Sequence, residues 1–492
     1  MSDRAELAPA SFAAEGSVSR VDAKPRRVLA DWPLARMLNF GAATLPLSVL
    51  SLAMGIAVQP YIAQNLGVGL ITISLAFTIV RMLDLGVDLG LAIVMDRTKT
   101  RLGRYRVWMV AGTPILMLGV YQLFMAHKGI GLVYLVIWLL VYALGSSIVG
   151  LSRSAWSATL VTRYHHRSVF YGVLTAIGVL GNLIVIVMAV LNGSFHVGSL
   201  NTVQLMGWTI LVLLPLGLGL TAAFTPEPIS VDAPVNRFPL RDYWEVMKKP
   251  EVLRLFISSF SLTLGPGWMS NLYLFFFIAS RGFTEPQAYL LLGFYIMGGL
   301  VGAPLIGMVG ARFSKHRTMI AATIGYSLGL CTIVITPKAN VLAGIPVMLW
   351  CGFMGVGFDL MTSAMMADVG DQIRLEQGKE RMALLFAVTG LAAKLAAAGA
   401  LAISYPLLAA VGYIPTLAGH NTPAALDGLT AVFIIGPIFW VALGGLCFLG
   451  WKLDAAKHAD IRMKLEARDA MLAASSLTEE AQFMVAETEA AT

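Results

Sequence analysis

Arg81, Asp84 and Asp88 stand in an otherwise apolar stretch, TIVRMLDLGVDLGLAIV, that runs from Thr78 to Val94. Their spacing is i, i+3, i+7. On a helix, at about 100° per residue, they fall within about 60° of one another on one face. An isolated charge at the centre of a bilayer costs at least a few kcal/mol. One base and two acids on a single face offset one another only if that face turns inward, toward protein or a water-filled cavity. Such a net-negative cluster suits a cation: Na⁺ held by oxygens, or H⁺ taken up by one carboxylate. The competing reading is an ion pair that merely holds helices together.

The composition calls for such a setting. The chain is 57% hydrophobic and only 13% charged, about half the charge of an ordinary soluble domain. Twelve segments have the roughly 20 apolar residues needed to span a bilayer: 38–62, 68–95, 107–127, 131–160, 168–192, 204–224, 251–280, 286–311, 317–336, 341–366, 383–411 and 428–451. Residues 1–36 are polar and Ala-rich, with no secretory apolar region, so insertion is expected to rely on the first span. Cys331, Cys351 and Cys447 lie in apolar runs without metal-like or disulfide-like spacing and read as packing residues. No structural metal and no cofactor is expected.

The expected class is therefore an all-α membrane protein of two six-helix halves. Its expected parts are an N-terminal tail (1–36), a first bundle (37–224), a linker (225–250), a second bundle (251–451) and a C-terminal tail (452–492). Of 35 Lys and Arg, only Lys128, Arg281 and Lys338 fall in the loops of one side. By the positive-inside rule the other side is cytoplasmic, with both termini. A plasma (inner) membrane location follows. The same asymmetry explains the net charge of +7 as topology, not nucleic-acid binding. The halves echo each other: the segment ending DLGLAIVMDRTKTRLGRYR matches one ending GAPLIGMVGARFSKHR, each with small residues and then a short basic loop, so two pseudo-symmetric halves in a major facilitator fold are expected. Asp96, Arg97, Arg101 and Arg104, with Arg312 and Lys315 in the echo, are candidates for a cytoplasmic gate of ion pairs; plain topology signalling is the competing reading.

Three further charges lie inside spans: Arg153, Asp359 and Lys394. Arg153 is near enough to a span end to snorkel. Lys394, in FAVTGLAAKLAAAGA, is not, and should reach a carboxylate; the second span offers the best ones. Thr389 lies on the same span, and Ser48, Ser152, Arg153, Asp359 and Thr389 are candidate solute-binding residues. Asn39, Gln59, Tyr61, Gln64, Trp156, Trp268, Asn271 and Tyr273 are candidate cavity groups, the rings suited to stacking on a sugar or another flat apolar face, although packing or an interfacial belt explains any one of them equally well.

Here the residues resemble a known family. RMLDLGVDLGLAIVMDRTKTRLGRYRVW is similar to the second-helix signature of the glycoside–pentoside–hexuronide:cation symporters, the melibiose permease-like branch of the major facilitators: an arginine, two aspartates four apart, and a D-x-T-x-T-x-x-G-R-Y-R-x-W loop from Asp96 to Trp108. ADVGDQIRLEQGKERMALLFAVTGLAAKLAAAGA resembles the region of that family with an intramembrane lysine, which falls on Lys394. The resemblance implies a cation site at Asp84 and Asp88, with Arg81 and Lys394 beside it, and alternating access to a central solute site.

Departures qualify the cargo. Ser48 and Ser152 stand where the melibiose permease holds sugar hydroxyls with carboxylates, and no arginine occurs in SVFYGVLTAIGVLGNLIVIV. Melibiose itself is not expected to bind. Two neutral oxygen ligands are replaced by Val87 and Val149, which favours H⁺ over Na⁺ as the coupling ion. The expected activity is cation-coupled symport of a small solute, a sugar or glycoside, with a lipid-like or amphipathic cargo as the alternative. The expected partners are that solute, a monovalent cation and the bilayer, with the chain a monomer. No H-E-x-x-H, G-x-S-x-G or Walker loop points to an enzyme, and the short tail after Lys452 offers a surface helix rather than the output domain of a sensor.

Overall fold

The computed structural model describes residues 34–98, 100, 103–160, 164–195, 200–227, 247–377, 382–468 and 471. Twelve helices are long and apolar enough to cross a membrane. They are α1 (Ala35–Gln64), α2 (Leu70–Arg97), α3 (Tyr105–Phe124), α4 (Leu132–Leu160), α5 (Tyr164–Phe195) and α6 (Thr202–Phe224). The second set is α7 (Pro250–Ser280), α8 (Glu285–Arg312), α9 (Lys315–Ile335), α10 (Val341–Gln377), α11 (Met382–Ala410) and α12 (Pro423–Leu446). In lipid every backbone group must be satisfied internally, so the apolar runs have no stable choice but helix.

Local chemistry sets the ends. Asn201 and Gln204 form a capping box at the start of α6, and Thr284 and Gln287 do the same for α8. Thr422 caps α12 just before Pro423, starting that helix five residues ahead of the hydrophobic pattern. α10 outruns the pattern as well. Its polar end, ADVGDQIRLEQ, stays helical because a further helix at 455–468 packs against it. That packing buries Ile461 and Leu465 and brings His458 within 3.1 Å of Asp371 and 3.3 Å of Asp368.

The first helix of each half carries a π-helical stretch, Ala53–Val58 in α1 and Phe275–Ser280 in α7. Such stretches are frequent at functional sites. The one in α1 contributes to the cavity described below. The one in α7 belongs to an aromatic cluster, with Phe276 stacked on Phe433 at 4.0 Å between centroids. α8 and α10 approach so closely that a Cβ at Gly352 would overlap the Tyr295 carbonyl oxygen.

The halves meet chiefly through α2 with α11 and α5 with α8, and to a lesser extent through α1 with α7. Ser74 donates to the Leu401 carbonyl at 3.3 Å in the first pair. Gly193 lies against Pro286 in the second. The end of α1, Gln59–Gln64, packs on the turn Pro415–His420. These contacts close the side of the molecule away from the basic loops.

Candidate functional site

α2 carries the predicted charges to the centre of the molecule. Arg81 lines two adjoining hollows, of about 210 and 130 Å³, which share Ser51, Gly55, Gln59 and Phe77. The larger opens between the halves and is bounded by Gly267, Ser270 and Asn271 of α7 and by Ala397 and Leu401 of α11. The smaller runs into the first half, where Asp84 faces Tyr142, Ser146 and Ser147 of α4. Asp84 accepts a hydrogen bond from the Ser147 hydroxyl at 2.8 Å. Gln59 lines the hollow, and its buried side-chain oxygen has no hydrogen-bond partner among the described residues.

Asp88 and Lys394 form an ion pair. It joins α2 of one half to α11 of the other. The carboxylate is the drier partner: Asp88 is 13% exposed at its side chain and Lys394 43%. One Asp88 oxygen is buried and has no hydrogen-bond partner among the described residues. Lys394 also lies close enough to feel the charges of Asp84 and Arg81. The four charges expected to act together are therefore gathered at the seam between the halves.

The other candidates divide. Asn271 lines the larger hollow. Asp359 lies in a separate hollow of about 320 Å³ in the second half, with Tyr295 and Thr263. Ser48 faces Gly178 and Gly181 of α5 in a helix seam. Ser152 is fully buried and donates to the Val149 carbonyl at 3.0 Å. Arg153 holds the Thr44 hydroxyl at 3.0 Å. Trp156 packs edge-on to Phe40, with the Arg106 guanidinium 5.6 Å from its ring. Trp268 donates to the Val432 carbonyl at 3.0 Å, and Tyr273 to that of Ala288 at 2.8 Å. Thr389 bonds back to Phe386 O at 2.9 Å within its own helix. Tyr61 accepts from Asn201 at 3.1 Å, and with Gln64 it lines a hollow near the closed end. The Asn39 carbonyl accepts from Thr221 at 2.9 Å.

The signature loop does local work in this structure. Glu227, just past α6, accepts from the backbone N–H groups of Arg104 and Tyr105 at 2.6 Å and of Arg106 at 3.2 Å. A carboxylate there meets the unsatisfied donors and positive dipole end of α3. Gly103 has φ +112°, and a Cβ on it would collide with that carboxylate, so the motif needs glycine. Arg104 reaches the Met95 carbonyl at 3.0 Å, Arg106 that of Thr225 at 2.7 Å, and Trp108 the Thr98 hydroxyl at 3.0 Å. All of these contacts stay within the first half. Likewise Lys315 pairs with Asp368 at 2.6 Å within the second, and Arg312 lies beside Phe313. The side chains of Asp96 and Arg97, and Arg101 altogether, lie outside the described residues.

Sequence reasoning missed Ser146 and Ser147. It looked for neutral oxygens at positions 87 and 149, whereas α4 supplies one two residues before Val149. Only the rotation of α4 against α2 reveals this. The faint signal was the pair Ser146–Ser147 in an apolar run.

The family described as MFS/sugar transport protein matches residues 39–455. The chain belongs to that family. It is a multi-pass membrane protein and a secondary active transporter of the major facilitator type, not an enzyme. A Bacillus subtilis (strain 168) protein named uncharacterized symporter YnaJ is 22% identical over 419 residues, covering 80% of this chain and 86% of the relative. The nucleoside transporter NupG superposes with a TM-score of 0.61 at 12% identity, over 85% of this chain and all of that one. A bacterial homolog of the human lysosomal transporter Spinster, in an inward-facing and unoccupied conformation, superposes with a TM-score of 0.57 at 15% identity, over 85% of this chain and 98% of the other. At such identities the two structures speak for the fold alone.

Proposed function

We propose that this transporter is a symporter that carries a polar, hydroxyl-rich solute, a sugar or glycoside, together with a cation, H⁺ rather than Na⁺. The supporting observation is the Lys394–Asp88 pair across the two halves with Asp84 one turn away at the cavity wall. A salt bridge that joins the moving parts is a coupling element, because its strength depends on the charge of one carboxylate. A proton on Asp88 cancels the attraction for Lys394 and loosens α2 from α11. Asp84 lies between the cavity and Asp88 along α2 and serves as the relay. Na⁺ is disfavoured because the Lys394 ammonium already sits on Asp88. A metal ion between the carboxylates would have to displace a tethered cation, whereas a proton need not.

Ser51, Gln59, Ser146, Ser270 and Asn271 offer hydroxyl and amide groups to the solute, and Arg81 a guanidinium. Such a lining suits a polyhydroxylated cargo better than an acyl chain, which would leave these groups unpaired. The relative's name, a symporter, agrees with this reading. The basic loops then face the cytoplasm, both termini with them, in the plasma (inner) membrane. The halves close on the outer side and exchange solute by rocking about the central site.

The test is uptake by the chain in proteoliposomes, with solutes chosen by thermal-shift screening. Uptake should follow an imposed pH gradient and persist when choline replaces Na⁺ at fixed pH. Collapse on Na⁺ removal would transfer the coupling to Na⁺, and indifference to both would refute cation coupling.

A further inference from the structure

Of the charges at Arg153, Asp359 and Lys394, Lys394 joins the coupling site and Arg153 holds the Thr44 hydroxyl, which leaves Asp359. Asp359 lies within α10, inside the span Val341–Glu376. It is exposed in a hollow of about 320 Å³ between α7, α8 and α10, together with Thr263, Pro266, Tyr295, Gly299 and Gly355. None of these is basic. Among the described residues Asp359 has neither a hydrogen-bond nor an ion-pair partner. An ionised carboxylate at membrane depth without a partner is costly, and such residues mark substrate or ion pathways.

The hollow lies next to the central one along α7: Pro266 lines it and Gly267 lines the other. Thr263 lines the hollow of Asp359, while Gly267 and Ser270 line the larger central hollow. These three are i, i+4, i+7 on α7 and share one face. A solute seated at Gln59 and Asn271 can therefore extend along α7 to Asp359. The groups waiting there are one carboxylate, one hydroxyl and the ring of Tyr295. An ammonium has three donors and no acceptor. A carboxylate and a hydroxyl accept from it, and an aromatic face attracts it. Na⁺ would find too few oxygens, since a hard cation collects several.

We propose that Asp359 is the docking point for a protonated amine on the transported solute. This rests on the transport reading above and narrows its cargo to a hydroxyl-rich solute that bears an amine. The carboxylate then discriminates against neutral analogues, because they would leave it unpaired.

The experiment uses the full chain in detergent with Val356→Cys, which lines the same hollow without being a proposed ligand, the native Cys331, Cys351 and Cys447 being replaced by alanine. Neutral methyl methanethiosulfonate modifies the new thiol. Ethanolammonium should slow that reaction several-fold, while ethylene glycol and NaCl at equal concentration should not. Asp359→Asn should abolish the protection. In parallel, ethanolammonium should raise the Tm of the unsubstituted chain and leave that of Asp359→Asn unchanged, a readout independent of the cysteine variant. Absence of both effects, protection that survives Asp359→Asn, or equal protection by NaCl or ethylene glycol overturns the proposal. Both readouts report binding. Their failure leaves coupling at Asp84 and Asp88 standing, and loss of proton coupling leaves the protection intact.

Discussion

Lys394→Ala cuts the ionic tie between the halves. A fully buried pair that loses one partner costs about 3–5 kcal/mol; an exposed pair is worth about 0–1 kcal/mol. Asp88 is 13% exposed and Lys394 43%, so solvent screens one end of this pair. An intermediate value of about 1–2 kcal/mol is expected. In the coupling proposed above the pair parts as the halves rock, so that energy acts on the equilibrium between the form closed on the side away from the basic loops and the form opened there. It should raise the opened population about 5–30-fold. Ala57 reports it: it is 1% exposed and lines the hollow near the closed end. In a cysteine-free chain with Ala57→Cys, a bulky impermeant maleimide applied from outside should alkylate the thiol faster, by that factor, after Lys394→Ala. Asp88→Asn should give a similar rise, and the double substitution should add little to either. Unchanged alkylation in both single variants, or additive effects in the double, would refute the link between this pair and closure.

Asp84→Asn and Asp88→Asn should each abolish concentrative uptake yet leave facilitated exchange of solute; normal accumulation in both would make the charged face of α2 structural. Ser147→Ala removes a hydrogen bond to a charged acceptor, worth about 1.5–3 kcal/mol, and should lower coupled uptake at least tenfold without loss of folded protein, checked by gel filtration. Gly103→Ala forces φ +112° on a residue with a Cβ and pushes that atom into Glu227; a drop in Tm comparable to that of Glu227→Ala is expected, and an unchanged Tm would contradict the clamp. Saturable melibiose uptake should be absent, since the Ser152 hydroxyl is already held by Val149 O.

The amino-acid pattern alone determined that the chain spans a membrane twelve times, with which side basic, and that α2 carries a charged face. These follow from composition and one-dimensional period. Lipid leaves apolar runs no alternative to helix, and 100° per residue brings positions 81, 84 and 88 together whatever surrounds them. Lys394 was legible as a partner for a carboxylate because nothing near it in sequence can compensate its charge. Which carboxylate it meets was not legible. That depends on how α11 lies against α2, and the structure selects Asp88 while Ser147 takes Asp84. The aromatic candidates show the same limit. Trp156, Trp268 and Tyr273 are plausible cavity rings from sequence, yet each turns its polar atom to a carbonyl in the packed protein. A side chain's direction is set by helix rotation and by the neighbour it meets, and neither is written in the spacing of one segment. The basic signature loop is the converse case. Its residues were readable as a unit, but their role as a clamp on Glu227 rests on a contact more than a hundred positions away in the chain, which only the folded first half brings about.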